Sequence, residues 1–295
     1  MFRVRRLLAP FVLCIALLFS EAQAFTIAWL SDTQNYHNAY KPIFDGMTQW
    51  IADNRAALDI RFVFHTGDVV GSWSSEDQWR QARESMGILS SASIPFLAAC
   101  GNHDIGYRMN YANFLKYVLS LRPASMSQEY GDTGSRYELF SANGRDYIFM
   151  GIAFSNKGPS EDEVNWINGV LRQYSSRDAI IITHSYLKKS ASYTTQGKAI
   201  FEKIVKANPN VFLVLCGHCR DISEKSVQLD DDGDGDSDRT VYAILSNFQG
   251  SKAGGGGYMR ILDFRDSDIY IYTYSPYYDS CEYPKGKTEA TVPLP

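Results

Sequence analysis

Residues able to bind a metal ion occur in five short segments, each directly after an apolar stretch that predicts a strand. The segments are Ser31-Asp32-Thr33-Gln34, Thr66-Gly67-Asp68, Gly101-Asn102-His103-Asp104, Thr183-His184 and Gly217-His218. Any one of them alone is more typical of a turn or a helix cap than of a functional site. Together they offer carboxylate, amide and imidazole groups. This mixed set suits Mn, Fe or Zn rather than a thiolate-type metal site.

In this order the segments resemble the calcineurin-like metallophosphoesterase superfamily, whose pattern runs Asp-x-His, Gly-Asp, Gly-Asn-His-Asp or Glu, a lone His, and Gly-His-x-His. The resemblance covers essentially the whole chain after its N-terminal segment, and residues 101–104 are its most specific part. It implies a site in which two ions about 3.5 to 4 Å apart hold a nucleophilic hydroxide and clamp the phosphoryl oxygens. The implied ligands are Asp68 between both ions, Asp32 and Gln34 on the first ion, and Asn102, His184 and His218 on the second.

The resemblance also implies roles for two residues that do not bind metal. His103 stabilises the phosphoryl group or protonates the leaving oxygen, and Asp104 holds the His103 ring nitrogen and so fixes its tautomer. The expected activity is hydrolysis of phosphomonoesters or small phosphodiesters.

Two positions depart from the family pattern, and both belong to the first ion. Gln34 offers a neutral amide oxygen where the family usually has imidazole, and Arg220 stands where the last histidine of Gly-His-x-His belongs. Arginine cannot ligate a cation, so Arg220 either turns away or grips substrate phosphate with its forked guanidinium. We assign Arg220 to substrate binding and favour a retained, weaker first ion, with Asp221 either a substitute ligand or an exposed turn residue. The alternative function is a catalytically silent protein that binds a phosphate ligand on the same fold.

The elements that must position these residues alternate between strand and helix through the first three quarters of the chain. Apolar runs predict strands at Thr26–Leu30, Arg61–Phe64, Pro95–Ala99, Tyr147–Ala153, Ala179–Ile182 and Val211–Leu215. Amphipathic runs predict helices at Ile43–Leu58, Glu76–Leu89, Tyr111–Leu119, Glu161–Tyr174 and Lys198–Ala207, with capping-box spacing at Ser75 and Ser160. After Cys216 only strands follow, at Val241–Leu245, Tyr258–Phe264 and Ile269–Tyr274. We expect an α/β fold of two packed mixed β-sheets flanked by helices, a metallophosphoesterase-like β-sandwich, with the late strands forming an antiparallel second sheet.

The N-terminus predicts a signal peptide over residues 1–24. Arg3, Arg5 and Arg6 precede an apolar run from Leu7 to Phe19, and Ala22 and Ala24 have the small size expected before a cleavage site. This predicts a secreted or periplasmic protein, with residues 25–295 as a single domain and no stable membrane insertion after cleavage. The formal net charge of −4 and the lack of a Lys/Arg stripe argue against capture of long nucleic acids, so a small phosphorylated substrate fits better.

Three further motifs carry weaker predictions. Cys216-Gly217-His218-Cys219 has the spacing of a redox dithiol but follows a strand, so we interpret Cys216 as a buried strand residue and Cys219 as a partner for a distant cysteine such as Cys281. Residues 254–257 are four glycines, interpreted as a loop at the rim of the site. Residues 230–238 place aspartates at alternate positions like the start of a calcium-binding loop, which leaves weak Ca²⁺ binding and a solvated acidic turn both open.

Overall fold

The computed structural model describes residues 24–122, 128–284, 286 and 288–295. In these ranges the strands, numbered β1 to β13 in chain order, are Phe25–Leu30, Ile60–His65, Phe96–Ala98, Gln128–Glu129, Arg136–Ala142, Arg145–Ile152, Asp178–Thr183, Val211–Cys216, Asp221–Leu229, Arg239–Asn247, Met259–Phe264, Asp268–Tyr274 and Ala290–Pro293. The α-helices, numbered α1 to α6, are Lys41–Asp53, Glu76–Ser91, Asn102–Ile105, Ala112–Tyr117, Glu161–Gln173 and Thr195–Ile200, and a π-helical segment, Phe201–Val205, continues α6. Short 3₁₀ turns lie at Thr33–Asn35, Asn38–Tyr40 and Leu119–Leu121.

The strands form two mixed sheets. The first has the order β13-β12-β11-β1-β2-β3, with β1, β2 and β3 parallel and the other three antiparallel. The second has the order β4-β5-β6-β7-β8-β10-β9, with a parallel centre formed by β6, β7, β8 and β10. The predicted class of two mixed sheets flanked by helices is therefore confirmed.

The two sheets pack face to face through a layer rich in aromatic side chains. Phe62 and Phe64 of β2 place their ring centroids 5.0 and 4.9 Å from that of Phe149 on β6. Successive side chains of a strand point to opposite faces. Accordingly Trp29 of β1 joins this inner layer, whereas its neighbour Leu30 packs with α1 and α2 on the outer face. Burial on both faces explains why the central strands are almost continuously apolar.

The predicted division of strands between sheets is wrong. The late strands do not form a sheet of their own, because β10 pairs in parallel with β8, while β11 pairs antiparallel with β1. The early strands are likewise divided, with β1 to β3 in one sheet and β6 to β8 in the other. A strand buried on both faces has the same sequence signature in either sheet, so hydrophobic pattern alone could not assign its neighbours.

Both predicted helix starts are confirmed, but only half of each capping box forms. The hydroxyl oxygens of Ser75 and Ser160 accept hydrogen bonds from the backbone N–H groups of Gln78 and Glu163, at 3.4 and 3.2 Å. The side chain of Glu163 turns instead to the Ser135 hydroxyl. That of Gln78 turns to a loop beside the candidate site. No described helix is both long and apolar enough to cross a lipid bilayer.

Candidate metal centre

All six predicted ligands, Gln34 included, meet at one edge of the sandwich. Asp32, Asp68 and Asn102 follow β1, β2 and β3 of the first sheet, and His184 and His218 follow β7 and β8 of the second. The carboxyl ends of parallel strands lie along one edge of their sheet, and here the two such edges adjoin. Side chains from both sheets are consequently in direct contact.

Asp68 is the centre of this arrangement. Its backbone is left-handed, with φ of 54°, and its side chain is almost fully buried. One carboxylate oxygen accepts the N–H of His103 at 2.9 Å, and the other lies 3.2 Å from both Gln34 Nε2 and His184 Nε2. A Cβ on Gly101 would lie 2.1 Å from the first of these oxygens, so glycine is required there. Burial raises the pKa of Asp68, but His184 and His103 outweigh burial and lower it, which favours the ionised carboxylate.

His184 presents one ring nitrogen to a group of atoms that carry lone pairs. Its Nδ1 donates to the carbonyl oxygen of Thr66 at 2.8 Å, which assigns the tautomer and leaves Nε2 facing the site. That Nε2 lies 3.1 Å from Asn102 Oδ1 and 3.2 Å from both Asp68 Oδ2 and His218 Nδ1. Burial lowers the pKa of His184, but the negative charge of Asp68 and its hydrogen bond to the ring outweigh burial, and the pKa rises to about 9. The site therefore stabilises positive charge at this point, and its donor set fits a divalent cation.

Asp68, His184 and His218 form a group whose candidate ligand atoms all lie within 4.8 Å of one another. With Asn102 beside them, they correspond to the predicted ligands of the second ion. The structure thus brings the whole predicted second set together.

The first-ion side is arranged differently. Both carboxylate oxygens of Asp32 lie 3.2 Å from the backbone N–H of His218, and Ser31 donates to one of them at 2.5 Å. Burial raises the pKa of Asp32 to about 7. A Cβ on Gly217 would lie 2.3 Å from Asp32 Oδ2, so this loop can approach only as glycine.

Gln34 completes the first-ion side with a partner that the sequence analysis missed. The Gln34 Nε2 donates to Asp68 Oδ2 at 3.2 Å and to Gln249 Oε1 at 2.6 Å. The Gln34 Oε1 is buried and has no hydrogen-bond partner among the described residues. A buried carbonyl oxygen normally has a partner, and a cation bound beside Asp68 would satisfy this one. Gln249 thus holds the amide in the orientation that leaves its oxygen available as a ligand.

The predicted contact between Asp104 and the His103 ring is wrong. One oxygen of Asp104 accepts the backbone N–H groups of Val69 and Val70 at 2.8 and 3.0 Å, and the other accepts that of Gly101 at 2.8 Å. These bonds use the carboxylate to tie the loop that carries Asp68 to the loop that carries Asn102. Asp104 is therefore a positioning residue of the metal centre.

The ring of His103 is held by the main chain. Its Nδ1 lies 2.9 Å from the carbonyl oxygen of Gly71. The loop containing Gly71 is itself held by Gln78, whose side-chain oxygen accepts the N–H groups of Gly71 and Ser72 at 3.0 and 2.9 Å. With Nδ1 so engaged and the residue exposed, Nε2 is the ring atom available to a substrate.

Arg220 lies exposed on the loop between β8 and β9. No hydrogen bond or ion pair holds its guanidinium within the described part of the chain, so its assignment to substrate binding stays a prediction. The carboxylate of the next residue, Asp221, pairs with Lys189 at 2.6 Å. Asp221 is thus engaged with a surface lysine, which argues against a substitute ligand, and it is the partly buried first residue of β9 rather than an exposed turn residue.

The weaker motifs have separate outcomes. Cys216 is buried at the end of β8 as predicted, but the suggested bridge between Cys219 and Cys281 is absent and both thiols are free. Glycines 254–257 lie near the site, since Asn35, next to Gln34, donates to the carbonyl oxygens of both Gln249 and Gly254 at 3.4 Å.

In the acidic loop, oxygens of Asp230, Asp232 and Asp238 lie within 4.8 Å of one another and all three residues are exposed. Calcium binding there stays a prediction.

Gln249 and Gln78 are the functional residues that sequence reasoning missed. A signal existed for Gln249, because Asn247-Phe248-Gln249 follows a predicted strand just as the metal-ligand segments do. The spacing of Gln78 from Ser75 predicts only a helix cap, and nothing local distinguishes a glutamine that binds its own helix from one that binds a neighbouring loop.

Comparison with known proteins identifies the family. The sequence model described as calcineurin-like phosphoesterase matches residues 25–219, well over half of the chain. The chain belongs to this family, and the predicted enzyme class of metal-dependent phosphate-ester hydrolases agrees with the family's description. The family's use of divalent metals agrees with the buried Asp68, His184 and His218.

Solved structures share the fold. The chain superposes on a dimetal phosphatase from Danio rerio with a TM-score of 0.61, 12% identity and coverage of 91% of this chain and 98% of the other. It superposes on GAP50, the anchor in the inner membrane complex of Plasmodium, with a TM-score of 0.59 and 13% identity, covering 92% of this chain and 89% of the other. For the purple acid phosphatase PPD1 of yellow lupin, Lupinus luteus, the TM-score is 0.59 and the identity 12%, with 92% of this chain and 54% of the other covered. At such low identity these likenesses concern the fold alone.

A sequence relative is the uncharacterised protein YvnB of Bacillus subtilis strain 168. It is 40% identical over 259 residues, which is 86% of this chain. The chain spans only 20% of the length of that relative.

Proposed function

We propose that this chain hydrolyses phosphomonoesters or small phosphodiesters outside the cytoplasm, with divalent Mn, Fe or Zn as cofactor. The observation that carries the proposal is the convergence on Asp68, whose carboxylate lies 3.2 Å from ligand candidates of both predicted ion sites, Gln34 and His184. A small phosphorylated compound is the proposed substrate.

The residues fit two cation sites of unequal strength. Asp68, Asn102, His184 and His218 would hold one ion, and Asp32, Gln34 and Asp68 the other. A divalent ion at such a site lowers the pKa of water and neutralises charge on the phosphoryl oxygens. The first ion has three side-chain ligands against four for the second, one of the three is the neutral amide of Gln34, and Arg220 stands nearby in sequence, so the first ion is the weaker one.

His103 is the proposed acid. With Nδ1 donating to Gly71, the protonated ring can donate from Nε2 to a phosphoryl or leaving-group oxygen. Arg220, exposed close to His218 in sequence, is the residue proposed to bind the substrate phosphate.

The location outside the cytoplasm is supported by the N-terminal sequence. The predicted signal peptide lies, up to residue 23, outside the described residues. Cleavage after Ala24 would leave the whole of β1, which begins at Phe25. N-terminal sequencing of the exported protein should begin at Phe25, and recovery of uncleaved protein from the cytoplasm alone would contradict the proposed location.

The activity is tested by stripping the protein with a chelator and restoring Mn²⁺ in the presence of chromogenic phosphate monoesters and diesters. We expect turnover that requires the added ion. Absence of metal-dependent turnover across the panel would refute hydrolysis.

A second candidate function is binding of a phosphate ligand without catalysis. It is favoured by the changes at Gln34 and Arg220, both on the first-ion side. Tight, metal-dependent binding of inorganic phosphate by a protein with no turnover would support it.

A further inference from the structure

A cavity of about 310 Å³ lies directly beside the metal centre, and we call it the side cavity. His218, a predicted metal ligand, forms part of its wall, and the remaining wall comes from the loops after β6, β7 and β8 and from the start of α6. Its volume is at the lower end of the range of about 300 to 1,000 Å³ typical of small-molecule sites. A group bound there would be adjacent to the reacting phosphate.

The walls of the side cavity are held in place by buried hydrogen bonds. Gln196 donates to the carbonyl oxygen of Ala153 at 2.9 Å and accepts the N–H of Ser155 at 3.2 Å, which joins the loop after β6 to α6. A Cβ on Gly197 would lie 2.0 Å from the Tyr186 carbonyl oxygen, so α6 and the loop after β7 are in backbone contact. A cavity fixed in this way binds without the cost of ordering its walls.

The lining is polar but almost uncharged. The buried hydroxyls of Ser185 and Thr194 lie 3.1 Å apart, and Asn156 adds an amide at the edge. Among the described residues that line it there is no carboxylate, and Lys188 is the cation. Hydroxyl and amide groups suit the oxygens of a small alcohol, and a lone lysine suits an anionic group.

Lys188 differs from its neighbour Lys189 in one respect that matters. The ammonium of Lys189 is paired with Asp221 at 2.6 Å, whereas no acidic side chain in the described ranges forms an ion pair with Lys188. The backbone of Lys188 is fixed, because its N–H donates to Ser192 and its carbonyl oxygen accepts from Ser223 at 2.9 Å.

We propose that the side cavity binds the leaving-group alcohol of the substrate and that Lys188 selects alcohols carrying a negative charge of their own. The inference rests on the proposed hydrolysis and specifies its substrate class, a small phosphate ester of an anionic alcohol such as a hydroxy acid. In the reaction the ester P–O bond breaks, water supplies the new oxygen on phosphorus, and one proton of that water ends on the released alcohol. Lys188 does not take part in the chemistry and is a specificity residue.

The test compares two esters that differ in one group. 3-Phosphoglycerate carries a carboxylate where glycerol 3-phosphate carries a neutral hydroxymethyl group. We expect the Mn²⁺-loaded protein to prefer 3-phosphoglycerate, and Lys188→Gln to lower kcat/KM for this ester about tenfold, the effect of losing one charge-assisted contact, while leaving glycerol 3-phosphate nearly unchanged. Lys188→Arg should retain the preference, and Lys189→Gln, the matched control, should affect neither ester.

If Lys188→Gln lowers kcat/KM equally for both esters, or lowers it for neither, the inference is overturned. If the loaded wild-type protein turns over no ester, the proposed hydrolysis fails, and the inference is then judged by calorimetric binding of the same two compounds. A binding preference for 3-phosphoglycerate that Lys188→Gln abolishes would keep the side cavity as an anion-selective site. Absence of that preference would show that the side cavity is not an anion-selective site.

Discussion

Replacement of Gln249 by leucine should weaken the first ion and leave the second unchanged. The side chain of Gln249 makes one bond that matters here, in which its Oε1 accepts the Gln34 Nε2 at 2.6 Å. Its backbone bonds to Asn247 and Asn35 do not depend on the side chain. The variant therefore removes the group that orients the Gln34 amide while keeping the local fold.

The size of the effect follows from that one bond. Losing a hydrogen bond costs about 1 kcal/mol, and leaving a buried donor unsatisfied costs up to about 3 kcal/mol. Since about 1.4 kcal/mol corresponds to a tenfold change in affinity, the first ion should bind roughly 5 to 150 times more weakly. Loss of a residue that hydrogen-bonds a metal ligand typically lowers metal affinity or activity by about 10- to 100-fold.

The assay is calorimetric titration of Mn²⁺ into chelator-stripped protein, fitted to one tight and one weak site. Gln249→Glu keeps an acceptor for Gln34 and should bind the first ion at least as tightly as wild type. Gln49→Leu is the matched control, because Gln49 is exposed on α1 and its side chain bonds only Asp53 in the described ranges. An unchanged weak site in Gln249→Leu, or equal weakening of both sites, would refute the positioning role.

Four other residues test the remaining assignments. Asp68→Asn should abolish activity and lower metal content together, because a neutral amide cannot replace the shared carboxylate; full metal content with near-normal turnover would contradict this. His103→Ala should keep the metals and lower kcat most for substrates with poor leaving groups, whereas equal losses for good and poor leaving groups would exclude the acid role. Asp104→Asn, which loses one of three backbone acceptor bonds, should lower the free energy of unfolding by about 2 kcal/mol without changing the dependence on leaving group, as denaturant melts and kinetics would check. Arg220→Ala should raise KM at constant metal stoichiometry, and Arg220→His should raise affinity for the first ion; identical KM and metal affinity in wild type and both variants would place Arg220 outside the site.

The sequence alone determined the chemistry of the site and its approximate position. Asp32, Asp68, Asn102, His184 and His218 follow strands, and the carboxyl ends of parallel strands share an edge, so the order of the elements is enough to predict that these side chains meet. The helix starts after Ser75 and Ser160 are equally predictable, because a serine cap is a local interaction. The same holds for the class of two mixed sheets with helices outside, which hydrophobic period and element order define.

Only the tertiary structure decided which partners these elements and side chains take. Strands buried on both faces look alike in sequence, so the division of the late strands between the two sheets is visible only in the pairing of β10 with β8 and of β11 with β1. A carboxylate next to a histidine in sequence can bond the ring or the backbone. Asp104 bonds three N–H groups of converging loops while Gly71 holds His103. Gln249 reaches Gln34 across 215 positions of the chain, and the side cavity exists only where several loops meet. Contacts of this kind depend on where the packed sheets bring distant backbone together, and no local pattern of residues encodes that.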